Sequence, residues 1–299
     1  HRLKNKAPAL AQDLRTLDVE HMHLLSGTPL QNHVGELWTM LNLLDAESFP
    51  SLEAFLERPV QAELVKLLLL PSESSRFTCC VLVHGMGGTG KTVTAVAAVQ
   101  ERAVRACFSE IHWLTVGADA VGSQLQNLQA TLHKQLAGKG TKAKEHEAEE
   151  WQQLLVQAMA QKQRALLVLD DPWMPEQVRF LNPIDGSQAA IEHRLLVTTR
   201  IRDLVPKATR VELPLMGKDE AVALLLELAN IEEAEYLKEH PGAAWPPQAA
   251  YTIAAECGLL PITLTIAAQV VRSWGDGWQT AVLPLLREQP VSYTHLRAH

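Results

Sequence analysis

Gly85, Gly87, Gly88, Gly90, Lys91 and Thr92 lie in the run His84-Gly85-Met86-Gly87-Gly88-Thr89-Gly90-Lys91-Thr92, which carries the spacing G-x-x-x-x-G-K-T. Glycines this dense let a backbone curl so that successive N–H groups point at phosphate oxygens, and a helix starting at the lysine adds its positive end. Lys91 would reach the terminal phosphates, and the Thr92 hydroxyl would ligate Mg²⁺. That metal needs a carboxylate, and Leu166-Leu167-Val168-Leu169-Asp170-Asp171 ends an apolar run in two of them. Asp170 would hold Mg²⁺ through water. Asp171 would orient or deprotonate an attacking water, or else cap the helix that follows. A third apolar run, Leu195-Leu196-Val197, ends in Thr198-Thr199-Arg200. Arg200 is then either a γ-phosphate sensor at a strand end or a solvated arginine in a turn. Cys257-Gly258-Leu259-Leu260-Pro261 places a proline at the first turn of an apolar helix, a structural role on local grounds.

These groups need a scaffold, and the hydrophobic pattern describes one. Strands are expected at 78–84, 111–116, 165–169 and 194–198, with a weaker one at 209–213. A helical run with Val93, Val96, Ala97 and Val104 follows the glycine loop. Leu125, Leu128, Leu132 and Leu136 recur at helical spacing, as do Trp151, Leu154, Leu155 and Met159. The charged run 142–150 reads as a solvated loop and helix start. Strands alternating with helices predict an α/β fold with a parallel sheet covered by helices. After Pro214 only helices are expected, at 219–229, 247–256 and 261–271. Upstream, Leu67 to Leu70 followed by Pro71-Ser72-Glu73-Ser74-Ser75 reads as a linker. The domains expected are thus 1–58, a linker at 59–75, a nucleotide-binding domain at 76–213, a helical subdomain at 214–288 and a tail at 289–299.

Composition narrows the class. The 299 residues are 47% apolar and 20% charged, the balance of a globular protein. The longest nearly uncharged stretch, 258–271, falls short of the roughly 18 to 20 residues that cross a bilayer, so no membrane span is expected. Net charge is -7, which gives no overall positive field for nucleic acid. The four cysteines form no CxxC pair, which fits a reducing compartment, and a cytoplasmic location is expected, or a nuclear one if residues 1–58 are a genuine part of the protein. His21 and His23 lack a third ligand for a metal, and Trp113 and Trp173 are expected to be packing residues.

The residues 85–92, 108–117, 166–173, 195–200 and 257–264, in this order, resemble the NB-ARC module. That module is the nucleotide switch of plant disease-resistance proteins and the apoptotic protease-activating factor, within the STAND class of signalling ATPases. The resemblance covers roughly 77–286 and implies a P-loop NTPase sheet followed by a helical (ARC1-like) subdomain. It implies ADP or ATP with Mg²⁺, slow hydrolysis, and homo-oligomerisation of the ATP-bound full-length protein. On it, Gly85, Gly87, Gly88, Gly90, Lys91 and Thr92 bind phosphate, Thr92 and Asp170 serve the metal, Asp171 and Arg200 act in hydrolysis and sensing, and Pro261 lies against adenine. The chain departs from the family at Val93, where a second Thr is common, at Pro172, where Val is common, and at Leu259, where Gly is common.

Residues 1–58 differ in character. His1-Arg2-Leu3-Lys4-Asn5, Leu24 to Asn32 and Glu36 to Asn42 resemble Swi/Snf-type remodelling ATPases, covering only the end of a RecA-like helicase lobe. In that family the phosphate loop precedes these motifs, whereas here it follows them. The segment also holds five Lys or Arg against eight Asp or Glu, so nucleic acid is not an expected partner. Residues 291–299 resemble translated adapter sequence and are expected to be artefactual. A DNA-dependent ATPase fragment and an inactive chimeric product are the rival readings to the switch.

Overall fold

The computed structural model describes residues 59–70, 79–138, 146–184 and 193–288. The segments 1–58 and 289–299, with the expectations placed on them, lie outside the described residues. Five strands form one sheet: β1 (Cys80–His84), β2 (Glu110–Thr115), β3 (Ala165–Asp170), β4 (Arg194–Thr199) and β5 (Thr209–Glu212). Every pairing is parallel, in the order β2-β3-β4-β1-β5. The three central strands are buried along their whole length, which is why they read as unbroken apolar runs rather than as alternation. The first acid, Asp170, is the last residue of β3 itself.

Successive side chains of a strand point to opposite faces, and each face has its own helices. Leu167, Leu169, Leu195 and Val197 pack with Leu125, Leu132, Leu136, Leu155 and Met159 of α4 (Ser123–Ala137) and α5 (Ala148–Ala160), and with Val178 and Leu181 of α6 (Pro175–Leu181). Val81, Val83, Leu166, Val168 and Leu196 pack on the other face against α1 (Pro59–Leu69), α2 (Lys91–Gln100) and α3 (Arg102–Cys107). The run expected as one helix after the glycine loop is therefore two, broken at Glu101, whose ψ of 132° is extended.

The expected linker at 59–75 is corrected over its first part. Pro59–Leu69 is helix α1, and its Leu64 and Leu68 are fully buried beneath the sheet. Val60, Leu64 and Leu68 fall one turn apart, so the Leu-rich run is a helical stripe and residues 59–69 belong to the globular unit. Residues 71–78 lie outside the described residues.

Beyond β5 the chain is helical: α7 (Lys218–Leu228), α8 (Glu233–Glu239), α9 (Gln248–Glu256), α10 (Pro261–Ser273) and α11 (Trp278–Glu288). They enclose a separate core that includes Val222, Leu225, Ile253, Leu264 and Val271.

Candidate nucleotide site

β1 ends at His84, and α2 begins at Lys91, so the glycine run is the turn between a buried strand and a helix N-terminus. Gly88 and Gly90 adopt φ of 81° and 94°, left-handed values that an L side chain rarely takes. Gly85 is required by contact with backbone instead, and Gly87 lies close beneath a side chain. A Cβ on Gly85 would sit 2.5 Å from the Leu213 carbonyl oxygen, and one on Gly87 would sit 3.2 Å from the Arg200 guanidinium. Thr89 Oγ1 closes the turn by donating to the Met86 carbonyl at 2.9 Å. Lys91, only 8% exposed, donates Nζ to the carbonyls of Gly85 and Met86 at 3.0 and 2.8 Å. Burial, with the Arg200 charge adding to it, lowers its ammonium to about 8.

Strand register brings the acids to this loop. Asp170 lies beside Thr198 in the β3–β4 ladder, and Thr198 lies beside Val83 in β4–β1. The Asp170 Oδ1 accepts hydrogen bonds from the hydroxyls of Thr198 and Thr92, the latter at 2.8 Å. Burial pushes the Asp170 carboxyl up, and the two hydroxyls pull it back down. Asp171 takes a left-handed φ of 56°, held by its N–H donating to the Thr198 carbonyl at 2.9 Å. Such backbone strain is retained where the surroundings over-determine it. Its Oδ2 accepts from the Trp173 indole N–H at 3.2 Å.

His84 and Thr199 are paired in the ladder, so Gly85 and Arg200 leave neighbouring strands at the same level. This is why the Arg200 guanidinium reaches Gly87, and it also lies 4.9 Å from the centre of the Trp173 ring. Gln177, 1% exposed, steadies the loop after β3. Its Oε1 accepts from the N–H of Trp173 and Met174 at 2.7 and 3.0 Å, while Nε2 donates to the carbonyls of Gly117 and Ala120.

The helical subdomain meets the loop at the start of α10. Leu260 is its N-cap and Pro261 its first residue. The next residue, Ile262, places Cγ2 2.8 Å from where a Gly88 Cβ would be. The approach to α10 passes through Leu259, in a left-handed φ of 56° where the family commonly has Gly, and the Leu259 carbonyl accepts from the Met216 N–H at 3.3 Å.

The residues expected to form the nucleotide site thus gather at one end of the sheet, apart from Pro261, which reaches it through its neighbour, while His21 and His23 lie outside the described residues. Thr198, Trp173, Gln177 and Ile262 were not anticipated as parts of the site. Thr198 belongs to a polar triplet already noted, but the expectation of a packing role for Trp173 overlooked its polar edge.

A hydroxyl and one carboxylate 2.8 Å apart, beside a phosphate-binding turn, fit Mg²⁺, which keeps waters and takes few protein ligands. Among the described residues there is no cluster of three or more His, Cys, Asp or Glu that would hold a metal without phosphate.

Comparison with known proteins agrees with this geometry. The NB-ARC domain model matches residues 60–235, and the SNF2-related domain model matches residues 1–61. Apoptotic protease-activating factor 1 of Danio rerio is 29% identical over 245 residues, which cover 79% of this chain and 18% of that protein. Protein CHROMATIN REMODELING 4 of Arabidopsis thaliana is 52% identical over 58 residues, covering 19% of this chain and 3% of the relative. The chain therefore spans less than a fifth of the curated relatives it matches. Among solved structures, Cdc6p from Pyrobaculum aerophilum superposes with a TM-score of 0.52 at 15% identity, over 73% of this chain and 64% of that one. The Aeropyrum pernix ORC2 protein in its ADP form gives 0.50 at 14% identity, over 80% and 68%. These two likenesses concern the fold, a parallel sheet of the P-loop NTPase kind with flanking helices. A family model that covers more than half of the chain, on a sheet whose strand ends gather the glycine loop, the paired acids and the arginine, shows that the protein belongs to the NB-ARC family of nucleotide-binding modules.

Proposed function

We propose that this module binds ADP and ATP with Mg²⁺ as a signalling switch and hydrolyses ATP slowly. The observation that carries the reading is the meeting of three strand ends: Thr92 on Asp170 at 2.8 Å, with Arg200 lying over Gly87. In this reading the loop N–H groups and the α2 N-terminus hold the phosphates. Lys91 exchanges its two carbonyl partners for phosphate oxygens. Thr92 and Asp170 would hold the metal, which would supply positive charge beside the phosphates. Asp171 orients the attacking water and accepts its proton, Arg200 binds the γ-phosphate, and Pro261 packs on adenine. The closeness of Ile262 to Gly88 supports a helical subdomain that responds to what the loop contains, as a two-packing switch requires. In a full-length protein the ATP form assembles into homo-oligomers, a reading that rests on the family resemblance.

The test is to denature the purified protein, identify released nucleotide by chromatography, and run Lys91→Ala in parallel. Near-stoichiometric ADP from the parent and little from the variant is the expected outcome. A folded parent with no nucleotide and no affinity for ADP or ATP overturns the reading. The match of residues 1–61 to the SNF2-related domain favours a second reading, a DNA-stimulated ATPase. It predicts that duplex DNA raises hydrolysis. The acidic balance of residues 1–58 and the position of the phosphate loop after them support no such response.

A further inference from the structure

One aromatic ring ties together two of the groups on which the proposed switch depends. The Trp173 indole N–H donates to Asp171 Oδ2 at 3.2 Å, and the guanidinium of Arg200 lies 4.9 Å from the centre of the same ring. The backbone that carries the ring is anchored as well, because the N–H of Trp173 donates to the buried Gln177 Oε1 at 2.7 Å. Arg200 is a long side chain at the exit of β4, with many rotamers open to it. Stacked on the indole, it is held with its Nη1 3.2 Å from the position a Gly87 Cβ would take, within the phosphate loop. A planar guanidinium gains from an aromatic face in a way that an ammonium does not reproduce.

We propose that Trp173 is a positioning residue that sets the preference for a nucleoside triphosphate over a diphosphate. Its face holds Arg200 over Gly87, where a γ-phosphate arrives, and its N–H fixes the ring by engaging Asp171. Holding the guanidinium in place beforehand removes the cost of ordering it at binding. That saving is realised only by a ligand that reaches Arg200. The inference rests on the nucleotide reading given above and assigns a role that neither the loop nor the acids supply.

The experiment measures ATP and ADP affinities, with fluorescent analogues of each, for the parent, Trp173→Phe, Trp173→Leu, Arg200→Lys and the Trp173→Leu/Arg200→Lys double variant. Melting curves establish that each is folded. Trp173→Leu is expected to weaken ATP about three- to tenfold while leaving ADP within error, the range a cation–π contact implies. Trp173→Phe keeps a face and is expected to retain most of the discrimination. The double variant is expected to lose no more than the stronger single one, because both remove the same contact. Equal losses for ATP and ADP would make Trp173 a structural residue only and overturn the proposal, as would an unchanged ratio in Trp173→Leu. A parent that binds neither nucleotide overturns the proposed function and this inference with it. A parent that binds both, with a ratio insensitive to Trp173, overturns the inference alone.

Discussion

At the residue scale, backbone freedom is concentrated where the phosphate loop meets the helical subdomain. Gly88 combines a left-handed φ of 81° with an Ile262 methyl only 2.8 Å from a prospective Cβ. Gly88→Ala is therefore expected to lower stability by about 1–2 kcal/mol for the backbone alone, and further through the displaced Ile262. Adding Ile262→Ala, at a position 39% exposed, should recover the contact part and leave the backbone part. Denaturant melts of the single and double variants separate the two. Much of the placement of this site was legible in the sequence, because the glycines, Lys91, Thr92 and the paired acids are marked by residue type and short spacing. Thr198 on Asp170 and Trp173 beneath Arg200 were not, since both depend on a register set between strands about thirty positions apart.

At the element scale, α1 is the piece most easily misjudged. Its Leu64 and Leu68 are fully buried with Val81, Val83 and Val104, and so belong to the core of the nucleotide domain. Leu68→Ala is expected to destabilise the protein by about 2–5 kcal/mol, measured by chemical denaturation, a loss no linker residue would cause. The helical period of Val60, Leu64 and Leu68 was present in the sequence, but the Ser- and Pro-rich stretch after it drew the boundary too late. The strands were placed within a residue or two, because runs buried on both faces leave an unmistakable apolar signature. The short α8 offered no such pattern, since three of its seven residues are Glu and it buries a single side chain, Tyr236. The register of β4 between β3 and β1, which builds the site, cannot be read from any one strand.

At the scale of the whole molecule, acid sensitivity has a source in buried and half-buried imidazoles. His84, His112 and His133 all sit below their ordinary value, in each case chiefly because burial disfavours the charged ring. Glu110, 3.0 Å from His112, and Glu212 near His84 oppose this without reversing it. In the unfolded chain each ring takes its proton near pH 6.5, whereas the folded protein resists it to lower pH. Their contribution is thus complete above about pH 6.5 and is lost as the pH falls through the folded values. The imidazole part of the stability is expected to show in thermal melts as a decline that sets in from about pH 6.5. The triple variant His84→Gln, His112→Gln, His133→Gln should shift the onset of that decline to lower pH.

The order β2-β3-β4-β1-β5 also imposes a timetable on synthesis. β1 carries the start of the phosphate loop, yet its neighbours in the sheet are β4 and β5, made more than a hundred residues later. As the chain leaves the ribosome, β2 and β3 are both available before either neighbour of β1 has been made. The anion-binding turn is thus translated well before the strands that wall it. A growing chain therefore lacks the Asp170 and Arg200 ends of the site until residues near 200 have emerged, and β1 gains its second neighbour only with β5.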